Sequence, residues 1–143
     1  MSFASVVVFA VTLVIVSVTD VRRRVIPNRA LLVSVAVWLG IAVLTGGEGA
    51  ASALIAAVVV ASPLLVAALV RPDGMGMGDV KLVAVIALYL GWGAWAALLI
   101  GLGLAGFTGV LIALGSRRPP SETSLPLAPF LAVGVAISLI PLQ

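Results

Sequence analysis

The sequence predicts an all-α integral membrane protein, a polytopic bundle of about six transmembrane helices forming one domain over residues 1–143. Three observations carry that expectation. Of the 143 residues, 63% are apolar and only 9% are charged, whereas a soluble domain carries about a quarter charged residues. Mean hydropathy is +1.35. The apolar residues also come in long blocks, several of them near the ~20 residues that a helical crossing requires. The chain has no cysteine and no histidine. That composition excludes a disulfide framework, thiolate zinc sites, cysteine nucleophiles and histidine general bases. No metal or cofactor is expected.

Polar breaks divide the chain into six candidate spans, Phe3–Thr19, Ala30–Leu44, Ala50–Val70, Val80–Leu90, Ala94–Leu114 and Leu125–Leu142. The third and fifth are long enough without help, and the first and sixth are adequate. The second is short unless Arg29 extends along the helix to reach water. The fourth is the shortest; it makes a shallow crossing if its helix starts near Met77 and is otherwise re-entrant. Four or five crossings are the alternatives to six. The breaks hold the residues that reverse a chain, such as Pro27-Asn28, Gly46-Gly47, Pro72-Asp73-Gly74, Gly91-Trp92-Gly93 and Pro119-Pro120. Pro63 is expected to kink the third helix. Gly101, Ala105 and Gly109, with Gly106 beside them, form a small-residue stripe of the kind that packs membrane helices closely.

Charge then orients the bundle. Arg22, Arg23, Arg24 and Arg29 belong to the first loop, Arg71 and Lys81 to the third, and Arg117 and Arg118 to the fifth. Even-numbered loops hold no cation. The positive-inside rule puts the odd loops in the cytoplasm and the N-terminus outside. It also accounts for the net charge of +3 without nucleic acid as a partner. The first span lacks a basic n-region and is read as retained, not as a cleaved signal.

Five acids remain. Glu48, Asp73 and Glu122 sit among turn residues, where solvation explains them. Asp20 closes the first span and Asp79 opens the fourth, so the topology brings both to the cytoplasmic boundary. Carboxylates at membrane depth are costly and face a polar cavity or a partner. Their plain explanations are pairing of Asp20 with Arg22–Arg24, and pairing of Asp79 with Lys81 or capping of the fourth helix. The chemical explanation is a carboxylate pair for aspartyl proteolysis. Two close carboxylates share one proton. The ionised one acts as base on a water, and the protonated one stabilises the developing oxyanion. Gly76 and Gly78 are expected to let backbone approach a bound peptide and to adopt conformations closed to other residues. Lys81 reads mainly as a topological anchor.

Three motifs then resemble one family. Asp20, then five residues, then Ile26-Pro27-Asn28 resembles the first catalytic motif of the type IV prepilin peptidases. Gly76-Met77-Gly78-Asp79-Val80-Lys81-Leu82 resembles their Gly-x-Gly-Asp motif, shared more loosely with presenilin-type intramembrane proteases. Leu125-Pro126-Leu127-Ala128-Pro129-Phe130-Leu131 resembles their proline-containing lead-in to the last helix, though family members more often have Phe-Gly where this chain has Leu127-Ala128. The resemblance implies that Asp20 and Asp79 are the catalytic pair. It implies a site shaped by Gly76, Gly78, Lys81, Pro27, Asn28, Pro126 and Pro129.

It further implies removal of a short basic leader from prepilin-like precursors, at the cytoplasmic face of the inner membrane. Larger members carry an added N-terminal region with a cysteine tetrad and also N-methylate the product. This chain begins at its first span without cysteine, so the expectation is peptidase activity without methyltransferase activity, as in the compact members serving Flp-type pili or archaeal filaments. A bacterial Flp-type precursor is the expected partner, with membrane lipids around the bundle; oligomeric state is left open. The competing reading is a small ion- or proton-translocating transporter subunit, which requires a polar path across the whole bilayer.

Overall fold

The computed structural model describes residues 3–70, 76–116 and 125–140. Expectations for Arg71, Pro72, Asp73 and Gly74, and for Arg117, Arg118, Pro119, Pro120 and Glu122, lie outside the described residues. The chain forms α1 (Phe3–Arg23), α2 (Asn28–Leu44), α3 (Ala50–Val70), α4 (Met77–Leu90), a 3₁₀ turn (Gly91–Gly93), α5 (Ala94–Ser116) and α6 (Ala128–Ser138). The helical membrane class expected from composition is the one observed.

Helix lengths follow the local chemistry. Three helical stretches, Phe3–Arg23, Ala50–Val70 and Met77–Gly115, are long and apolar enough to cross a bilayer. The last runs through the 3₁₀ turn, so it contains both α4 and α5. Taken alone, α4 has 14 residues and rises about 21 Å, short of the ~30 Å hydrocarbon layer. It does begin at Met77, the start the shallow crossing required. The sixth helix is shorter than the expected Leu125–Leu142, beginning at Ala128 and ending at Ser138. Pro126 and Pro129 explain its late start. Proline has no N–H to give and disfavours helical geometry in the residue before it.

α4 is the hub, with Val80, Leu82, Val83 and every residue from Val85 to Tyr89 buried. Around it the outward faces stay apolar, with Leu32, Val58, Leu99 and Phe107 exposed, as lipid solvation allows. Association therefore rests on close packing and on polar contacts between helices. α5 and α6 supply the packing. A methyl group added at Gly101 would lie 3.0 Å from both the Leu131 Cα and the Phe130 carbonyl oxygen, and one added at Gly134 would run into the Ala97 carbonyl oxygen. The expected stripe is thus a helix–helix seam at Gly101, whereas Gly106 faces open space.

Polar contacts close the far end. The Tyr89 hydroxyl donates to the Ser34 carbonyl oxygen at 2.7 Å, and the Ser34 hydroxyl donates back to it at 3.3 Å. The Tyr89 ring stacks on Phe9 with centroids 4.6 Å apart. α1, α2 and α4 are pinned together there. In α3, Pro63 deprives the Val59 carbonyl of its helical donor, and the Ser62 hydroxyl supplies one instead at 2.9 Å.

Two polar cavities mark the ends of the bundle. Ser5, Thr45, Ala50 and Tyr89 surround one, while Asp20, Asn28 and Asp79 surround the other. The starts of α2, α4 and α6 share the second end with the close of α1.

Candidate active site

Asp20 and Asp79 line one cleft of about 300 Å³, although one ends a helix and the other begins one three helices later. The remaining wall comes from Arg24, Val25, Ile26 and Asn28 after α1, and from Gly76, Gly78 and Lys81 around the start of α4.

Asp20 is buried at 7% exposure inside the last turns of α1. The first amide of α6 holds it, with the Ala128 N–H donating to Asp20 Oδ2 at 3.0 Å. A hydrogen bond to a charged acceptor contributes about 1.5–3 kcal/mol. It also meets one of the four N–H groups that every helix start leaves without an internal partner. This contact gives Pro126 and Pro129 their place. They frame the start of α6 and are not among the residues lining the cleft.

Arg24 follows α1 with φ +51, the left-handed region that costs a side-chain-bearing residue about 1–2 kcal/mol. Its N–H donates to the Asp20 carbonyl oxygen at 2.8 Å. This αL residue ends the helix and turns the chain across the start of α4. Ile26 then seats against Gly78, and Pro27 caps α2 in extended geometry with φ −72 and ψ 114. Pro27 stands behind the cleft, and its neighbours Ile26 and Asn28 form the wall.

Neither glycine adopts the unusual backbone conformation expected of it. Gly76 has ordinary extended backbone, φ −75 and ψ 143, and Gly78 is not among the positive-φ glycines. Neither is selected for an unusual conformation. At Gly78 the space is already taken, since a Cβ would lie 3.0 Å from Ile26 Cβ. At Gly76 a Cβ would stand 3.6 Å from Asp79 Oδ2 and screen the carboxylate. One glycine permits packing; the other lies within contact range of an acid.

Asp79 lies in the first turn of α4, where its N–H donates to the Gly76 carbonyl oxygen at 3.0 Å. It is not the cap of the helix, a position Gly76 fills without a side-chain hydrogen bond. Lys81 turns instead to Asn28 and donates to Oδ1 at 3.2 Å. Two motif residues from different helices thus bridge the cleft rim. The Ala128 amide was not anticipated from sequence. Its 108-residue separation from Asp20 leaves no local trace. Among the described residues no group of three or more His, Cys, Asp and Glu side chains gathers as a metal site.

A helical membrane bundle with two acids meeting in one cleft at the helix ends is the class of protein that fold and site define. The chain belongs to the type IV leader peptidase family, whose model matches residues 7–114. Curated relatives agree. A prepilin leader peptidase/N-methyltransferase of Bacillus subtilis (strain 168) is 34% identical over 139 residues, covering 94% of this chain and 54% of the relative. Proteins of the same description from Burkholderia pseudomallei (strain K96243) and Pectobacterium carotovorum subsp. carotovorum are 39% and 34% identical over 67 and 68 residues, about half of this chain. The chain spans about half the length of the Bacillus relative and less than a quarter of the other two aligns. No solved structure gives a significant match.

Proposed function

We propose that the chain is a single membrane-embedded peptidase domain that removes the leader from prepilin-like precursors, with Asp20 and Asp79 as its catalytic pair. The observation that carries this reading is the meeting of those two acids in one cleft. In this mechanism a water sits between the carboxylates, which share one proton. The ionised member takes a proton from the water as it attacks the scissile carbonyl. The protonated member hydrogen-bonds the carbonyl oxygen and stabilises the negative charge that develops there. Collapse of the tetrahedral intermediate breaks the C–N bond, and the departing amine takes up a proton from the pair. Gly76 leaves open the side from which a peptide reaches Asp79.

The cleft faces the cytoplasm in this reading, with the N-terminus outside and the protein in the inner membrane. The support is the gathering of Arg22, Arg23, Arg24, Arg29 and Lys81 at the cleft end. A Flp-type precursor is the proposed substrate.

The test is purified protein in detergent with a prepilin precursor, comparing wild type with Asp20→Asn and Asp79→Asn. Removing either acid is expected to cut the cleavage rate by about 10³-fold or more, since general acid and base catalysis contribute about 10²–10⁴-fold each. Cleavage surviving in both variants, or ion flux without cleavage by the wild type, sinks the reading.

A further inference from the structure

We propose that the groove between α2 and α4 seats an apolar helical segment of the substrate, the part that runs from the scissile peptide into the lipid. This rests on the peptidase reading above and adds where the substrate lies. The groove has a volume of about 410 Å³, and Leu31, Leu32 and Val35 form one wall while Ala84, Val85 and Leu88 form the other. Each set recurs at helical three- and four-residue spacing, so each wall is one face of its helix. At the upper end stand Asn28 and Lys81, joined by their 3.2 Å hydrogen bond. Both residues also line the carboxylate cleft. Cleft and groove therefore adjoin, polar on one side of the Lys81–Asn28 bridge and apolar on the other.

The other two large depressions do not have this property. The apolar groove between α1 and α6, lined by Phe9, Val14, Ala132 and Ala136 among others, shares no residue with the cleft. The cavity at the opposite end shares none either. Among these depressions the α2–α4 groove is the apolar one that shares its rim with the cleft where Asp20 and Asp79 sit.

Physical chemistry fixes the form of the occupant. In lipid every backbone N–H and C=O must be satisfied internally, so the exiting segment is a helix, and its side chains match the leucine and valine walls. Ala84 is the smallest side chain of the α4 wall and marks where a partner helix comes closest. The bridge adds polarity to the fit, because the Lys81 ammonium has three N–H donors and gives one to Asn28. A bare acyl chain has no group to meet the others, whereas the start of a peptide segment brings carbonyl and side-chain oxygens. The same adjacency fixes direction. The polar flank of the scissile bond lies toward Arg24 and Gly76, and the apolar flank toward Lys81 and Asn28.

The experiment uses two probes and two grooves. One probe is a prepilin precursor with its apolar helix, in vesicles; the other is a short peptide spanning the same scissile bond without that helix. Ala84→Phe fills the α2–α4 groove and is expected to raise KM for the precursor about tenfold, with kcat within about twofold, the pattern of lost ground-state binding. The short peptide should be cleaved at the wild-type rate. Ala136→Phe, in the α1–α6 groove, should change neither. Because the chain has no cysteine, Leu32→Cys gives a milder check, in which a disulfide should form with a single cysteine one or two turns into the precursor's helix. Ala136→Cys should form none. Equal effects of Ala84→Phe on both probes, discrimination by Ala136→Phe instead, or cross-linking only at Ala136→Cys overturns the placement while leaving the peptidase reading intact. Failure of the wild type to cleave either probe removes the peptidase reading, and the placement falls with it.

Discussion

The two ends of the bundle bury polar groups in opposite ways. At the far end the Tyr89 hydroxyl and Ser34 satisfy each other, and the aromatic ring is stacked on Phe9. That pairing gives three helices a fixed meeting point. At the cleft end Asp20 accepts one amide, Lys81 reaches Asn28, and Asp79 lines the cleft beside Gly76. Polarity that is fully paired holds a membrane protein together. Polarity left with spare acceptors and donors is available to a substrate. Both kinds consist of ordinary residues, and only their surroundings separate them.

The largest effect that would break this contrast concerns the acid pair. Asp20→Asn keeps an oxygen for the Ala128 N–H, so thermal stability in detergent should stay within about 1 kcal/mol of wild type, while cleavage falls about 10³-fold. Asp20→Leu should lose the same activity and in addition leave that amide unpaired, lowering stability by about 1–3 kcal/mol. If Asn and Leu destabilise equally, the α6 amide is not what holds Asp20. Next comes the α5–α6 seam. Gly134→Ala drives a methyl into the Ala97 carbonyl oxygen and should cost about 1–3 kcal/mol or more, read as a drop in melting temperature. A stable Gly134→Ala variant would show that α6 stands farther from α5 than described.

Smaller effects sharpen the comparison. Gly78→Ala requires Ile26 to yield by a few tenths of an ångström, and an activity loss of about three- to tenfold is expected as the loop carrying Asn28 shifts, a displacement well under 1 Å being enough to matter. Co-substitution of Ile26→Ala should restore part of that loss. Lys81→Met removes the bridge to Asn28 and should raise KM for the precursor about two- to fivefold with kcat little changed. Unchanged kinetics with poorer membrane insertion would return Lys81 to a topological role alone. The smallest effect is Tyr89→Phe at the closed end. It should cost about 0.6 kcal/mol, typical of a polar contact between membrane helices, and leave cleavage untouched.

How much of this was legible in the sequence depended on the range of the signal. Helix existence was plain because lipid demands unbroken apolar runs, and Asp20 and Asp79 could be put at one end because the cations separating the runs alternate. Met77 as the start of the fourth helix was visible as a condition for its crossing. The glycine motif was half legible. Its presence marked a close approach, but the partner is Ile26 from another segment, and no local rule says that the demand is for space and not for dihedral freedom. The prolines at the entry to α6 were visible, yet the span was expected from Leu125, and nothing local said that the first amide of the helix would reach a carboxylate on α1. Contacts between distant segments are set by the packing of whole helices, and a pattern of neighbours does not encode them.

The brevity of α4 has a consequence for the surrounding membrane. Enclosed by its neighbours, a hub helix of about 21 Å falls short of an oil layer about 30 Å deep. In the peptidase reading the cleft needs a supply of water at that depth, and the shortfall in helix length offers a route for it.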